Sequence, residues 1–382
     1  MGADARRGDA RRGARARGVG RARAPVPGRG RVIGANRRRG PEEPRGSVTI
    51  APVSAVPGEA QRLESTWALE DWRSVVRRIP EAHPFVMPEW QRVWWEHFGT
   101  GRLSVLPLRD GAEPVAVVAV HSDDAGVVRF LGGVDVTDYP GPAIAPGHAR
   151  DAARHMLDRL TADASWAELD VRNARPEDGF VPALAAAAAK AGLRTSHCAD
   201  EPIALLDLPT TWDDYLARLT RHARHELQRR RRRFVRALGE GHVRTADAET
   251  LPRDLDTFFA LFRRARGEKG GFMSPPMERF FRDIARAFLP LGMLRLDVLE
   301  AGGRAVAVAF GFRTRSVYHL YNMAFDPDVQ AASPGAMLVG TLVEQAIRDE
   351  LARFDFMRGL ERYKFEFGAS RADLRRLRVR AD

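Results

Sequence analysis

Five side chains able to handle protons or charge crowd into the segment 358–364: Arg358, Glu361, Arg362, Tyr363 and Lys364. They belong to FDFMRGLERYKFEFG (Phe354–Gly368), which begins as a short apolar strand and breaks at Gly359. A strand end before a short helix is where α/β folds place their sites. Glu361 has the chemistry to take a proton from an amine, and Tyr363 or Lys364 to donate one or hold a developing oxyanion. His319 is a second candidate base. Along the strand expected over 317–325, alternation puts Val317, His319 and Tyr321 on one face and Tyr318 and Asn322 on the other. One face could line a cleft beside Phe354–Phe356, although a strand histidine is also often structural.

A second constellation is Phe325–Ala336. Ser333 can cap a helix, Pro334 suits its first position, and Gly335 lets a ligand approach the backbone. The free amides of such an end form an anion site fit for a pyrophosphate, although Ser-Pro is also an ordinary helix start. A third is the run Arg229–Arg233. It could meet phosphates, including those of tRNA, but five consecutive arginines surround a helix and read better as a solvated face.

These groups need elements to carry them. Helices are expected at 67–76, 88–98, 148–162 and 181–191, with strands at 103–108, 115–120, 127–131, 167–171, 193–197 and 203–208. The loop after the third strand carries Asp135, Asp138 and Tyr139. A long helix then runs from Thr211, a plausible N-cap, to Leu238, where Gly239 and Gly241 stop it. A strand (243–245), helices (252–266, 276–288), three strands (294–299, 306–313, 317–325) and a helix (334–351) precede the opening stretch, and a last strand lies near 374–379. Helices, a three-strand meander, a loop, a helix and a strand thus occur twice, which implies two α/β units with mixed sheets.

Composition limits the function further. The net charge of +11 comes from the N-terminus: Met1–Gly46 holds fourteen arginines against four acids, which leaves the body near neutral. That argues against general nucleic-acid affinity. Residues 1–55 have too few large apolar side chains to fold and read as a disordered basic tail. A basic arm or a cryptic targeting peptide would explain it, but its resemblance to translated GC-rich DNA favours upstream sequence from a misplaced start codon. No apolar run is long enough for a membrane span. The single cysteine, Cys198, excludes a disulfide framework and a cysteine-cluster zinc site, and is expected to be a buried structural thiol.

TWDDYL (Thr211–Leu216), the basic helix, YNMAFDPDVQAASPGAMLVGTLVEQAI (Tyr321–Ile347) and FDFMRGLERYKFEFG together resemble the CelD/BcsL-type (BioF2-like) acetyltransferase family. That family belongs to the GNAT superfamily and is related to the Fem peptidoglycan aminoacyltransferases. PFVMPEWQRVWWEHFG (Pro84–Gly99) and the Asp138-Tyr139 loop resemble its first half. The resemblance implies an α/β fold of tandem GNAT-like domains (60–209 and 210–382) with mixed, mostly antiparallel sheets. It implies a cytoplasmic enzyme moving an acyl group, acetyl in the first place, from acetyl-CoA or another acyl-CoA to an amine. The acceptor would be a small molecule or saccharide. Attack is direct, with no cysteine nucleophile and no metal.

On this resemblance the pyrophosphate would lie at Ser333, Gly335 and Ala336, and the thioester near Tyr321, Asn322 and Met323. Arg358, Tyr363-Lys364 and Phe367-Gly368 stand where Fem-like relatives have an Arg, a Phe-Lys pair and Trp-Gly, which makes Lys364 the foremost functional charge. The sequence departs from the family in three places. The GNAT pyrophosphate signature is only loosely echoed by Gln330 to Gly335-Ala336, Leu360 replaces an acidic residue, and Phe367 replaces Trp. Two alternatives stand beside this reading: a Fem-like transferase using aminoacyl-tRNA, and a non-catalytic binding module.

Overall fold

The computed structural model describes residues 67–380, except 164, 176, 178 and 265–270. The tail expected over 1–55 lies outside the described residues. The first run of elements is α1 (Leu69–Arg78), α2 (Pro88–Phe98), β1 (Arg102–Asp110), β2 (Glu113–Ser122), β3 (Val127–Phe130), α3 (Gly133–Val136), β4 (Ala143–Ile144), α4 (Ala149–Thr161), β5 (Glu168–Ala174), α5 (Phe180–Lys190) and β6 (Arg194–Asp207). The second is α6 (Trp212–Arg218), α7 (Arg221–Leu238), β7 (His242–Thr245), α8 (Leu251–Arg263), α9 (Pro275–Phe288), β8 (Leu294–Ala301), β9 (Arg304–Arg313) and β10 (Val317–Phe325). A 3₁₀ turn (Pro327–Ala332), α10 (Pro334–Arg348), β11 (Arg353–Arg358), α11 (Arg362–Glu366) and β12 (Ser370–Arg380) complete it.

All twelve strands join one sheet, ordered β1-β2-β3-β5-β12-β6-β11-β10-β9-β8-β7 with β4 on β2. Every pair is antiparallel except β3–β5 and β10–β11. This is the mixed, mostly antiparallel architecture expected, with a meander followed by one parallel strand in each half. The middle of the sheet is an exchange. β12, from the end of the chain, lies between β5 and β6, and β6 lies between β12 and β11.

Alternating side chains supply both faces of the sheet with core. On one face a single apolar cluster joins α1 and α2 of the first half to α8 and α9 of the second. Trp90 lies at its centre, fully buried. Its ring meets Phe85, Phe280, Phe288, Phe312 and Tyr321 at centroid distances of 4.6–6.3 Å, and its indole N–H donates to Thr137 Oγ1 at 2.9 Å. The other face carries two separate clusters, under α4 and α5 and under α7 and α10.

Several expectations change. The long helix expected over 211–238 is two helices. Leu219 is extended, and Thr220 starts α7 by accepting the amide of Ala223 on its hydroxyl. Thr211 does cap α6, accepting the amide of Asp214. The two strands expected at 193–197 and 203–208 are one, β6. Pro202 is accommodated because β6 carries one extra residue between its partners Asp373 and Arg375, a bulge that suspends the ladder locally. Cys198, expected to be buried, is exposed on β6.

Trp90→Ala is expected to cost about 3–5 kcal/mol, the usual range for emptying a buried aromatic site. Urea unfolding monitored by far-UV circular dichroism measures it. A loss below about 1 kcal/mol would mean that the shared core does not hold the halves together.

Candidate functional site

The site begins where a strand pair stops pairing. β10 and β11 run parallel, but their register covers only Val317–His319 against Arg353–Asp355. Beyond that point both strands bulge. β10 carries an extra residue against β9 between Leu320 and Asn322, which is Tyr321. β11 carries one against β6 between Asp355 and Arg358, with Met357 in the left-handed region at φ 61°. The bulge also resets the alternation of β10: Tyr321 packs on the α8–α9 face, whereas Met323 and Phe325 pack with the cluster under α10. The strands part, and a cleft of about 880 Å³ opens between them.

Ten of the eleven residues expected to form the site line this cleft: Tyr321, Asn322, Met323, Ser333, Gly335, Ala336, Arg358, Glu361, Tyr363 and Lys364. His319 does not. It is 1 % exposed, with Nδ1 3.4 Å from Asp355 Oδ2, and lies behind the last paired residues. The expectation that its strand face opens on the cleft holds for Tyr321 alone, because pairing seals the strands as far as His319.

The helix start differs in detail from the sequence reading. Ser333 is left-handed (φ 61°) and makes no side-chain cap; its hydroxyl instead accepts from Arg233. With Pro334 leading α10, the first-turn amides of Gly335 and Ala336 have no intrahelical acceptor. Gly335 is also needed for packing, since an added Cβ would meet Met323 and Phe325 at 3.2 Å. The arginine run divides as a helix requires. Arg230 reaches inward to Glu226 and Glu366 at 2.8 and 2.6 Å, while Arg231 and Arg232 stay exposed.

At the corner, the charges are spent on each other. Lys364 is 2 % exposed. Its Nζ donates to the carbonyls of Arg358 (2.5 Å) and Gly359 (3.3 Å) and pairs with Glu361 Oε2 (2.8 Å). Gly359 is at φ 101°, and a Cβ there would lie 2.4 Å from Glu361 Oε2. Arg358 Nε meets Asp138 Oδ1 at 2.5 Å. With its amide oxygen turned toward Arg358, Asn173 accepts Nη1 at 3.0 Å. Burial works against the charge of Arg358, but Asp138 outweighs it and holds the guanidinium ionised more firmly than usual.

Tyr363 is different. Its ring meets Phe356 edge-on, and its hydroxyl has no hydrogen-bond partner among the described residues. Burial, with Glu361 adding, pushes that hydroxyl above the ordinary tyrosine range, so it is protonated at neutral pH.

The first half supplies a wall the sequence did not assign to the site. The loop singled out for Asp135, Asp138 and Tyr139 reaches the cleft. Val136 O accepts from Tyr321 Oη at 2.6 Å, and Tyr139 Oη donates to both oxygens of Asp355 at 2.9 Å. Asp355 also accepts the amide of Met357 at 2.8 Å. Glu201, beside the β6 bulge, lines the cleft too, as do Arg230, Phe262, Phe272 and Gln330. Among the described residues, Asp135 and Glu201 have no ion-pair partner, unlike Asp138 and Glu361. The signal for Glu201 was Glu-Pro inside an extended segment; nothing local marked Phe262 or Phe272, which reach the cleft through tertiary packing.

Residues 221–365 match the family model described as an acetyltransferase (GNAT) domain. The crystal structure of FemX superimposes with a TM-score of 0.57 at 11% identity, covering 81% of this chain and 95% of FemX. A conserved protein of unknown function from Bacteroides thetaiotaomicron VPI-5482 does so with a TM-score of 0.55 at 12% identity, covering 82% and 98%. No curated protein matches the chain in sequence. The family match thus falls within the second half, and the likeness in fold to these two structures extends over both halves. Among the described residues no helix is long and apolar enough to cross a membrane.

The buried carboxylate at the parting point sets a pH test. Burial alone would raise the pKa of Asp355, but His319 and Arg175 outweigh it and hold the carboxyl below its ordinary range. The stability gained from that charge is complete above the unfolded value of about 3.9 and is lost as pH falls below it through the folded value. Asp355→Asn should therefore be less stable than wild type at pH 7, with the gap narrowing below about pH 4. Urea midpoints at pH 7 and pH 3 measure this; a gap that stays constant would show that the ionised form adds nothing.

Proposed function

We propose that the chain is an acyl-CoA-dependent N-acyltransferase of the CelD/BcsL type, transferring acetyl in the first place and working in the cytoplasm where such donors are made. The observation that carries this reading is the continuity of one cleft from the α10 start, through the parted strands, to the free hydroxyl of Tyr363. The donor brings an activated thioester; the chain's groups orient it and move protons. The amides of Gly335 and Ala336 suit a diphosphate. The β10 edge from Tyr321 to Met323, unpaired on the β11 side, offers backbone donors and acceptors to an extended amide chain in the manner of an added strand.

The acceptor is an amine on a small molecule or saccharide. Its nitrogen attacks the thioester carbonyl, a C–N bond forms as the C–S bond breaks, and Tyr363 gives its proton to the departing sulfur. The ammonium proton leaves to a carboxylate of the cleft wall: Glu361, or one of the unpaired pair, Asp135 and Glu201. Arg358 and Lys364 hold the corner in shape, and His319 supports Asp355 from behind.

A second reading has its own support. Arg221, Arg224, Arg231, Arg232 and Arg236 on α7 have no ion-pair partner among the described residues, which suits the longer phosphate backbone of an aminoacyl-tRNA donor. Isothermal titration separates the two. Acetyl-CoA binding without tRNA binding supports the first, and salt-dependent tRNA binding without acetyl-CoA binding supports the second. Neither would leave a non-catalytic module.

Tyr363→Phe is expected to lower kcat about 10²-fold or more while changing the donor KM little, the signature of a lost proton donor. Because the hydroxyl titrates above its ordinary value, wild-type kcat should not fall from its loss of proton until above about pH 10. Unchanged turnover in the variant would remove Tyr363 from the reaction.

A further inference from the structure

Two apolar side chains at the charged corner are left in water. Among the described residues three large apolar side chains are exposed: Leu291, Leu360 and Phe365. Single ones are ordinary on a protein surface. Leu360 and Phe365, however, lie five residues apart on one turn, at 42 % and 36 % exposure. Between them stands Arg362, whose side chain is 86 % exposed. Lys364 and Phe367 of the same turn are buried, so the turn has an interior and leaves these two apolar groups outside it. We propose that this corner, together with the outer side of α7, seats on an anionic lipid bilayer. The inference goes beyond the acyl-CoA reading and does not need it.

The positive charge comes from α7, which carries eight arginines against one acid, Glu226. Arg221, His225, Arg229, Arg232 and Arg236 recur every three or four residues and are all exposed. They form one stripe along the helix, on the side away from Phe234, which is buried in the core. Arg229 is paired with Glu226 at 2.7 Å, while Arg221, Arg232 and Arg236 have no ion-pair partner among the described residues. Glu366 ties helix and corner together. One of its carboxylate oxygens meets Arg362 at 2.9 Å and the other meets Arg230 at 2.6 Å. α11 is thereby fixed alongside α7.

The candidate occupants differ in what they reward. A second copy meeting this face with its own would set arginine against arginine. A nucleic-acid backbone satisfies the arginines and gives the aliphatic Leu360 no partner. An anionic bilayer takes both, with the arginines at the phosphate layer and Leu360 and Phe365 below it. The same turn lines the cleft through Glu361, Tyr363 and Lys364, so seating brings the cleft's corner to the headgroup layer.

Vesicle sedimentation of the full chain tests this, with phosphatidylcholine vesicles containing phosphatidylglycerol and with phosphatidylcholine vesicles alone. The N-terminal arginines are present in every variant, so ratios between variants report this face. Wild type should bind the anionic vesicles in preference to the neutral ones. Leu360→Ser with Phe365→Ser should weaken that binding about tenfold or more. Arg229→Gln with Arg232→Gln and Arg236→Gln should weaken it about a hundredfold at low salt. A second readout follows insertion itself. Cys198 is the single cysteine and is exposed. On a Cys198→Ser chain, Phe365→Cys carrying an environment-sensitive fluorophore should shift to the blue with anionic vesicles only. Binding equal to wild type in either set of variants, or a label that stays in water, would overturn the proposal. So would an arginine variant that loses tRNA binding and keeps vesicle binding, since α7 would then serve RNA.

Discussion

Everything at the site depends on two parallel strands being prevented from pairing to their ends. Left to their backbones, β10 and β11 would continue the ladder past His319 and Asp355, and the cleft would close. Two bulges stop this, and the β11 bulge puts Met357 in a left-handed conformation that costs of order 1 kcal/mol or more for a side chain with a Cβ. The carboxylate of Asp355 holds that conformation by accepting the amide of Met357, and Tyr139 holds the carboxylate from the first half. Buried, ionised and bonded from several sides, this group meets the condition under which a charge survives burial. Its reward is a pair of strand edges with free amides and carbonyls facing a ligand.

The charged corner carries a related lesson. Residue types alone make Arg358, Glu361 and Lys364 look like chemistry. Their contacts show that each is committed: Arg358 to Asp138 across the halves, Lys364 to two carbonyls and Glu361 within the turn. Groups with no hydrogen-bond or ion-pair partner among the described residues are less conspicuous. They are the hydroxyl of Tyr363, the amides of Asn322 and Gln330, and the carboxylates of Asp135 and Glu201. A buried cation that closes a strained glycine turn shapes the site without having to touch a substrate.

The fold was legible in the sequence wherever periodicity and punctuation agreed. Apolar spacing marked the helix over 88–98, and Thr211 marked a helix start. The sequence misled where one residue serves two roles. Thr220 reads as a polar position on one long helix, yet its hydroxyl begins a second. Pro202 reads as a strand breaker, yet a bulge carries it. At the site, the local motif named most of the lining because β10, α10 and α11 are close in sequence. What it could not name came from afar: Glu201 and the Asp135–Tyr139 loop arrive by sheet order, a consequence of long-range pairing that no local pattern records. The inaccessibility of His319 had the same origin, since it follows from how far β10 and β11 stay paired.

The strand exchange at the centre of the sheet has a consequence for how the molecule can be divided. The segment matching the acetyltransferase domain ends at residue 365 and starts at 221, so it contains neither β6 nor β12. Cut out, it would present β11 with an open flank and lose the chain that anchors Arg358. A boundary drawn by family resemblance and a boundary that leaves a self-sufficient body are therefore different lines here. Recombination between relatives would have to carry both crossed strands together, which ties the inheritance of one half to that of the other.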